Sequence, residues 1–221
     1  VSKHSRARFC ELGIPRIHPW GDVKTNIELK NVKITEKLSE ETPCFTATMY
    51  VDGQRFCEAS NRGFGGPNDY KPLPKTPAGT QNVVAAKIRE INEELKDYRI
   101  PTGWGNGYIT PDIDCVVNSK VSEHARDKEI KKTLKKVAYY KPEDGEIYVL
   151  PSKHKPTPET LKAVKETKWW KPENKMLNEM SMDDIRELPT FKVGDTLNTM
   201  VRKEDVEDTQ PEEEQSSGPG M

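Results

Sequence analysis

The sequence predicts an α+β fold: antiparallel β-hairpins with segregated helices, in two small units, then a disordered acidic tail. Three observations lead there. Alternating apolar residues flank the pair Asp52-Gly53, the favoured two-residue hairpin turn. Val84, Ile88, Ile91 and Leu95 recur at helical spacing, the stripe of a core-facing helix. From Lys203 onward one Lys stands against seven acidic residues, and the chain ends Ser-Ser-Gly-Pro-Gly-Met. Such a composition buries too little apolar surface to order itself.

Each element follows in order. Residues 1–24 hold Gly13, Pro15, Pro19 and Gly21 and read as an irregular arm, with Ile14, Ile17 and Trp20 to dock it. Residues 25–35 alternate, but the phase slips between Leu29 and Val32, which predicts a strand bulged near Lys30-Asn31. Residues 44–51 and 54–60 are the arms of the first hairpin. A two-residue turn sets Val51 against Gln54, Tyr50 against Arg55, Met49 against Phe56 and Thr48 against Cys57. Phe45, Ala47, Met49, Val51 and Phe56 then share the buried face. Residues 61–70 form a glycine-rich loop, and 71–79, with Pro72, Pro74 and Pro77, an extended linker. Thr80 caps a helix to about Asp97, closing a first unit over 25–98.

Residues 98–109 are a second glycine-rich loop, with Gly103, Trp104, Gly105, Gly107 and Tyr108. Thr110-Pro111 suits an N-cap and first-turn proline, opening a helix to about Leu134 with Ile113, Val117 and Val121 inward. Residues 137–141 and 146–150 make a second hairpin around Pro142-Glu143-Asp144-Gly145. Thr157-Pro158 starts another helix, with Leu161, Val164 and Lys168 on one side. A short helix over 174–188 buries Met176, Leu177, Met180 and Ile185. This second unit covers 108–190, with its own core or one shared with the first. The tail occupies 200–221.

Composition narrows the function classes. Apolar residues are 33% of the 221 and charged ones 32%, against about 25% charged in an ordinary domain. No run is long and apolar enough to span a membrane, and the basic start carries no apolar signal-peptide core. A soluble, intracellular protein is therefore expected. Cys10, Cys44, Cys57 and Cys115 are scattered and read as reduced thiols. Cys44 and Cys57 fall out of register across the first hairpin, which argues against a bridge.

The run Ser60-Asn61-Arg62-Gly63-Phe64-Gly65-Gly66-Pro67-Asn68-Asp69-Tyr70, behind its strand–turn–strand, resembles a family of small uncharacterised proteins of tailed-bacteriophage and bacterial genomes. The shared feature is Ser-Asn-x-Gly-x-Gly-Gly-x-Asn-x-Tyr. Residues 26–70 carry the resemblance, and 111–185 carry it more loosely. The arm, the Pro-rich linker and the acidic tail have no counterpart. The resemblance implies a phage or bacterial, cytoplasmic setting, the host cytoplasm for a phage protein, and no particular chemistry.

Two regions are candidate sites. In the 61–70 loop, Asn61, Arg62, Gly63, Gly65, Gly66, Asn68 and Tyr70 could contact a partner or ligand. Bare glycine amides form anion nests, yet no Gly-Lys-Ser/Thr follows, as a phosphate loop requires. The competing reading is a tight turn that needs positive φ, tied by its Asn and Asp side chains. The second region is 126–171, with thirteen basic and seven acidic residues, a net +6 that the overall −1 conceals. Lys131, Lys132, Lys135, Lys136, Lys153 and Lys155 interleave with Tyr139, Tyr140, Trp169 and Trp170. Lysines for phosphates and rings for stacking suit single-stranded nucleic acid. Ordinary solvated lysines around buried rings are the plainer alternative.

Metal and catalytic patterns are missing. His4, His18, His124 and His154 are dispersed, with no HExxH and no paired Cys. No nucleophile elbow or reactive-Cys context occurs. These features favour a non-catalytic binding or accessory protein without cofactor or metal, contacting host or phage protein machinery. The alternative is a nucleic-acid-associated accessory protein using 126–171. An enzyme acting on a phosphorylated small molecule at the glycine loop is the minority reading. No membrane partner is expected, and the oligomeric state is open.

Overall fold

The computed structural model describes residues 24–101, 107–151, 153–191 and 200–207. The N-terminal arm, the loop centred on Trp104, and the acidic tail past residue 207 lie outside the described residues. The fold is α+β, as the patterning predicts.

Four antiparallel strands form the first sheet in the order β1 (Ile27–Ile34), β2 (Phe45–Val51), β3 (Gln54–Asn61), β4 (Asp69–Pro72). The expected bulge in β1 is present: the register slips between Lys30 and Lys33, and Asn31 has φ 55°. The β2–β3 turn has positive φ at both Asp52 (51°) and Gly53 (76°), the signature of type I′. Val51 pairs Gln54 and Tyr50 pairs Arg55, as expected, but Met49 pairs Cys57 and Thr48 pairs Glu58. A second bulge inserts Phe56, so Phe56 and Cys57 are both buried and the inward parity passes to Ala59 and Asn61. Apolar neighbours at 56 and 57 cannot both face a core without it.

The Pro-rich linker begins as a strand. β4 tolerates Pro72 because it lies on the sheet edge. There Gln81 Nε2 caps the Tyr70 carbonyl at 3.0 Å.

Helices α1 (Gln81–Leu95) and α2 (Ile113–Thr133) cover the sheet. Val84, Ile91 and Leu95 are fully buried and Ile88 partly so. Asp112, not Thr110, is the N-cap of α2; its carboxylate accepts from the Cys115 amide at 2.9 Å. Asp is among the strongest N-cap residues, so it outcompetes the Thr-Pro signal two residues earlier.

α2 belongs to both units. Ile113, Val116, Val117 and Val121 sit in the first core, whereas Ile130 sits in a second with Leu177, Ile185 and Leu188. At 100° per residue the apolar stripe moves by roughly a third of a turn between these groups. One helix thereby presents different faces to two layers.

The second layer is a sheet ordered β8–β7–β9, where β7 is Ala138–Lys141, β8 is Glu146–Val149 and β9 is Lys175–Met176. Its faces have separate cores. Ala138 and Tyr140 pack with α2 and with α4 (Met182–Arg186). Tyr139 packs on the other side with Leu161 and Val164 of α3 (Pro158–Lys165). Thr157 caps α3 through its hydroxyl, and Lys168, expected on the inner stripe, is exposed. The single helix expected over 174–188 is instead β9, a 3-10 turn and α4. Asn178 explains the break: its amide donates to the Leu134 and Lys136 carbonyls and its oxygen accepts from Ala138.

Residues 98–109, expected as a loop, include the paired strands β5 (Tyr98–Pro101) and β6 (Tyr108–Ile109). β10 (Val201–Arg202) returns to pair with β5 and leads into α5 (Lys203–Glu207). Met200 and Val206 are buried, so the tail cannot start at 200. Those apolar side chains outweigh the surrounding acids in anchoring this stretch.

Candidate functional site

The glycine loop is tied from within. Asn61 is buried, and its Oδ1 accepts from the Gly63 amide and the Thr42 hydroxyl, both at 2.8 Å. Its Nδ2 donates to Asn68 Oδ1 at 3.0 Å and the Gly66 carbonyl at 3.3 Å. The Gly63 carbonyl accepts from the amides of Glu40, Glu41 and Thr42. A Cβ on Gly63 would stand 1.9 Å from the Leu38 carbonyl oxygen. Gly63, Gly65 and Gly66 all have positive φ. The amides of Gly63 and Gly65, two donors of the expected anion nest, are committed to Asn61 and Thr42.

Tyr70 and Asn68 also turn inward. Tyr70 Oη donates to Asp114 Oδ1 at 2.7 Å, while the Asn68 amide donates to Asp114 Oδ2 at 3.0 Å. Asn68 Nδ2 reaches Asn118 Oδ1 at 3.1 Å. Asp114 and Asn118 are four residues apart, on one face of α2, and together hold the loop to the helix. Burial and then the Asp114 hydrogen bond push the Tyr70 hydroxyl pKa far above its ordinary 10.0. The phenol stays protonated and is no general base. An open groove of about 590 Å³ runs beside it between β4 and α1, lined by Asp69, Lys71, Gln81 and Arg89 among others. The loop's outward side chains are Arg62, Phe64, Pro67 and Asp69, the Phe64 ring 60% exposed. Phe64 was missed; its signal was a large apolar residue between two turn glycines.

Two of the described thiols, Cys57 and Cys115, are held towards the protonated form. Burial, and then Glu58, raise the Cys57 pKa to about 12, and burial raises that of Cys115. Cys44, Cys57 and Cys115 are free. No group of three or more potential metal ligands occurs among the described residues.

The second hairpin carries an aromatic cluster. Tyr139 and Tyr148 pair across β7 and β8 and stack at 5.5 Å between centroids. Trp169 and Trp170 close on Tyr139 at 5.4 and 5.5 Å. Tyr139 is therefore buried by the other rings. Tyr148 is stacked by Tyr139 and also carries Lys141 Nζ at 5.0 Å from its centroid. Trp169, 47% exposed, is the ring most open to an incoming group. Tyr140 does not join this face; alternation sends it to the opposite core.

Topology sorts the charges. The Leu150 amide donates to the Val137 carbonyl at 2.9 Å, closing the open end of the hairpin. Lys135 and Lys136 enter there, and Lys153 and Lys155 leave there. None of these four has an ion-pair partner among the described residues. The turn end holds Glu143, Asp144 and Glu146, with Lys171 on Glu143 and Lys141 on Asp144. Lys131 and Lys132 occupy the last turn of α2, where cations complement the helix dipole, and Lys132 pairs with Glu129. The hairpin is thus basic at its open end and acidic at its turn.

Comparison of the chain with protein-family models, curated proteins and solved structures finds no match. No helix among the described residues is long and apolar enough to cross a membrane.

Proposed function

We propose that this chain is a non-catalytic accessory protein that binds single-stranded nucleic acid on the Trp169 face of the second hairpin. The carrying observation is the half-exposed Trp169, braced by Tyr139 and Trp170. A braced ring loses little freedom when a base stacks on it, and such stacking is worth about 1–3 kcal/mol per base. Tyr139 lies two residues from Val137, about 7 Å along the strand. Lys135 and Lys136 precede Val137 and Lys153 and Lys155 follow Leu150, so the four flank the end of the hairpin next to Tyr139. Lysines contact phosphate as point charges, so the expected binding is tolerant of sequence. The resemblance over residues 26–70 supports a phage or bacterial protein acting in the cytoplasm.

The test is fluorescence anisotropy of a labelled oligothymidylate against its duplex at low salt. Single-strand binding that survives competition by duplex supports the reading; no binding to either rejects it.

A second reading rests on Phe64. An exposed ring on a loop locked by Asn61 suits a protein contact, with host or phage machinery as the partner. Loss of a captured partner on Phe64→Ser, with stability unchanged, would support it.

A further inference from the structure

Among the described residues no strand pairs with the outer edge of β8. Because Leu150 donates to Val137, antiparallel alternation fixes which residues point inward. Tyr139 with Tyr148, and Lys141 with Glu146, exchange the ladder hydrogen bonds. The backbone N–H and C=O of Ile147 and Val149 then face away from β7. Neither amide has a partner among the described residues. β8 is an edge strand, and Tyr148 and Val149 are 39% and 44% exposed. The strand has neither proline nor lysine within it, the usual protections of an edge. The first sheet differs, for its β4 edge has Pro72 and a Gln81 cap.

We propose that β8 pairs antiparallel with β8 of a second copy of this chain. Charge selects that occupant. The turn end carries Glu143, Asp144 and Glu146 against Lys141 and Lys171, a net −1, and the open end is basic, with Lys153 and Lys155. Two-fold pairing that sets Ile147 against Val149 of the other copy brings each acidic turn beside the other copy's lysines. Parallel alignment would set like charges together. The two Tyr148 rings meet at the axis, and the exposed apolar edge is covered. The surface is isologous, as a closed dimer requires, and the sheet becomes continuous across both copies.

Sedimentation equilibrium on the full chain tests this without any nucleic acid, so its outcome is separate from that of the binding reading. The expected result is a concentration-dependent rise from 25.2 kDa to about twice that mass, weakened by salt. Val149→Pro removes an amide that the monomer does not use and should give the monomer mass with an unchanged circular dichroism spectrum. The pair Lys153→Glu and Lys155→Glu leaves the sheet untouched and should raise the dissociation constant at least tenfold. Adding Glu143→Lys and Asp144→Lys to that pair should restore it. A wild-type monomer mass at every concentration overturns the proposal. A dimer that survives both Val149→Pro and the charge reversal overturns it too.

Discussion

Gly63→Ala and Gly66→Ala should separate backbone strain from close packing within one loop. Both residues have positive φ, 92° and 84°. A non-glycine residue there costs about 1–2 kcal/mol. A Cβ on Gly66 meets nothing within 4 Å, whereas on Gly63 it meets the Leu38 carbonyl at 1.9 Å. That contact forces a backbone shift. The Gly63 carbonyl then loses its hold on the amides of Glu40 and Glu41, both at 3.0 Å. Each such bond contributes about 0.5–1.5 kcal/mol net. The expected costs are about 1 kcal/mol for Gly66→Ala and about 3–4 kcal/mol for Gly63→Ala. Urea unfolding followed by circular dichroism measures both. If Gly63→Ala falls within about 0.5 kcal/mol of Gly66→Ala, the loop is not pinned against Leu38.

Other expectations concern electrostatics, the core and the tail. Arg186 grips Asp127 through Nε at 2.9 Å and a second nitrogen at 2.5 Å, and this hydrogen bonding lowers the Asp127 pKa. A lowered folded pKa adds stability that is present above the unfolded value and lost as pH falls through the folded one. Asp127→Asn should therefore cost about 1–2 kcal/mol near neutrality, and less as pH drops below 3.8; melting curves across that range test it. Tyr70→Phe removes the 2.7 Å bond to Asp114 and should destabilise by about 1–3 kcal/mol in urea unfolding. Residues 208–221 hold four acids and no base; deleting them should tighten oligonucleotide binding at low salt and change it little at high salt.

The local signals that survived into the structure are those with one physical solution. Asp52-Gly53 dictates a type I′ turn because both residues must adopt positive φ. The phase slip in β1 dictates a bulge because the side-chain period in a strand is two. The bulge at Phe56 was not legible: two-residue turn geometry predicts uninterrupted pairing, and only burial of both Phe56 and Cys57 demands the insertion. The shared helix escaped notice because its apolar stripe changes face midway, which an averaged periodicity blurs. Met200 and Val206 were hidden by surrounding acids. At the candidate site, composition located the lysines and rings, but pairing sorted them. Alternation removed Tyr140 from the face, and the Val137–Leu150 closure brought Lys135 and Lys136 to Lys153 and Lys155. The inward turn of Asn61, Asn68 and Tyr70 depended on Thr42, Asp114 and Asn118, partners remote in sequence.

The central claim is that Trp169 stacks on a base while four lysines take phosphates. A salt titration of oligothymidylate anisotropy, with wild type beside Trp169→Ala, tests it most directly. The wild-type slope of log K against log salt should be about −3, from four lysines on a single strand. Trp169→Ala should keep that slope and lose roughly five- to hundredfold in affinity at every salt concentration. An unchanged affinity in Trp169→Ala, or a wild-type slope near zero, would contradict the account.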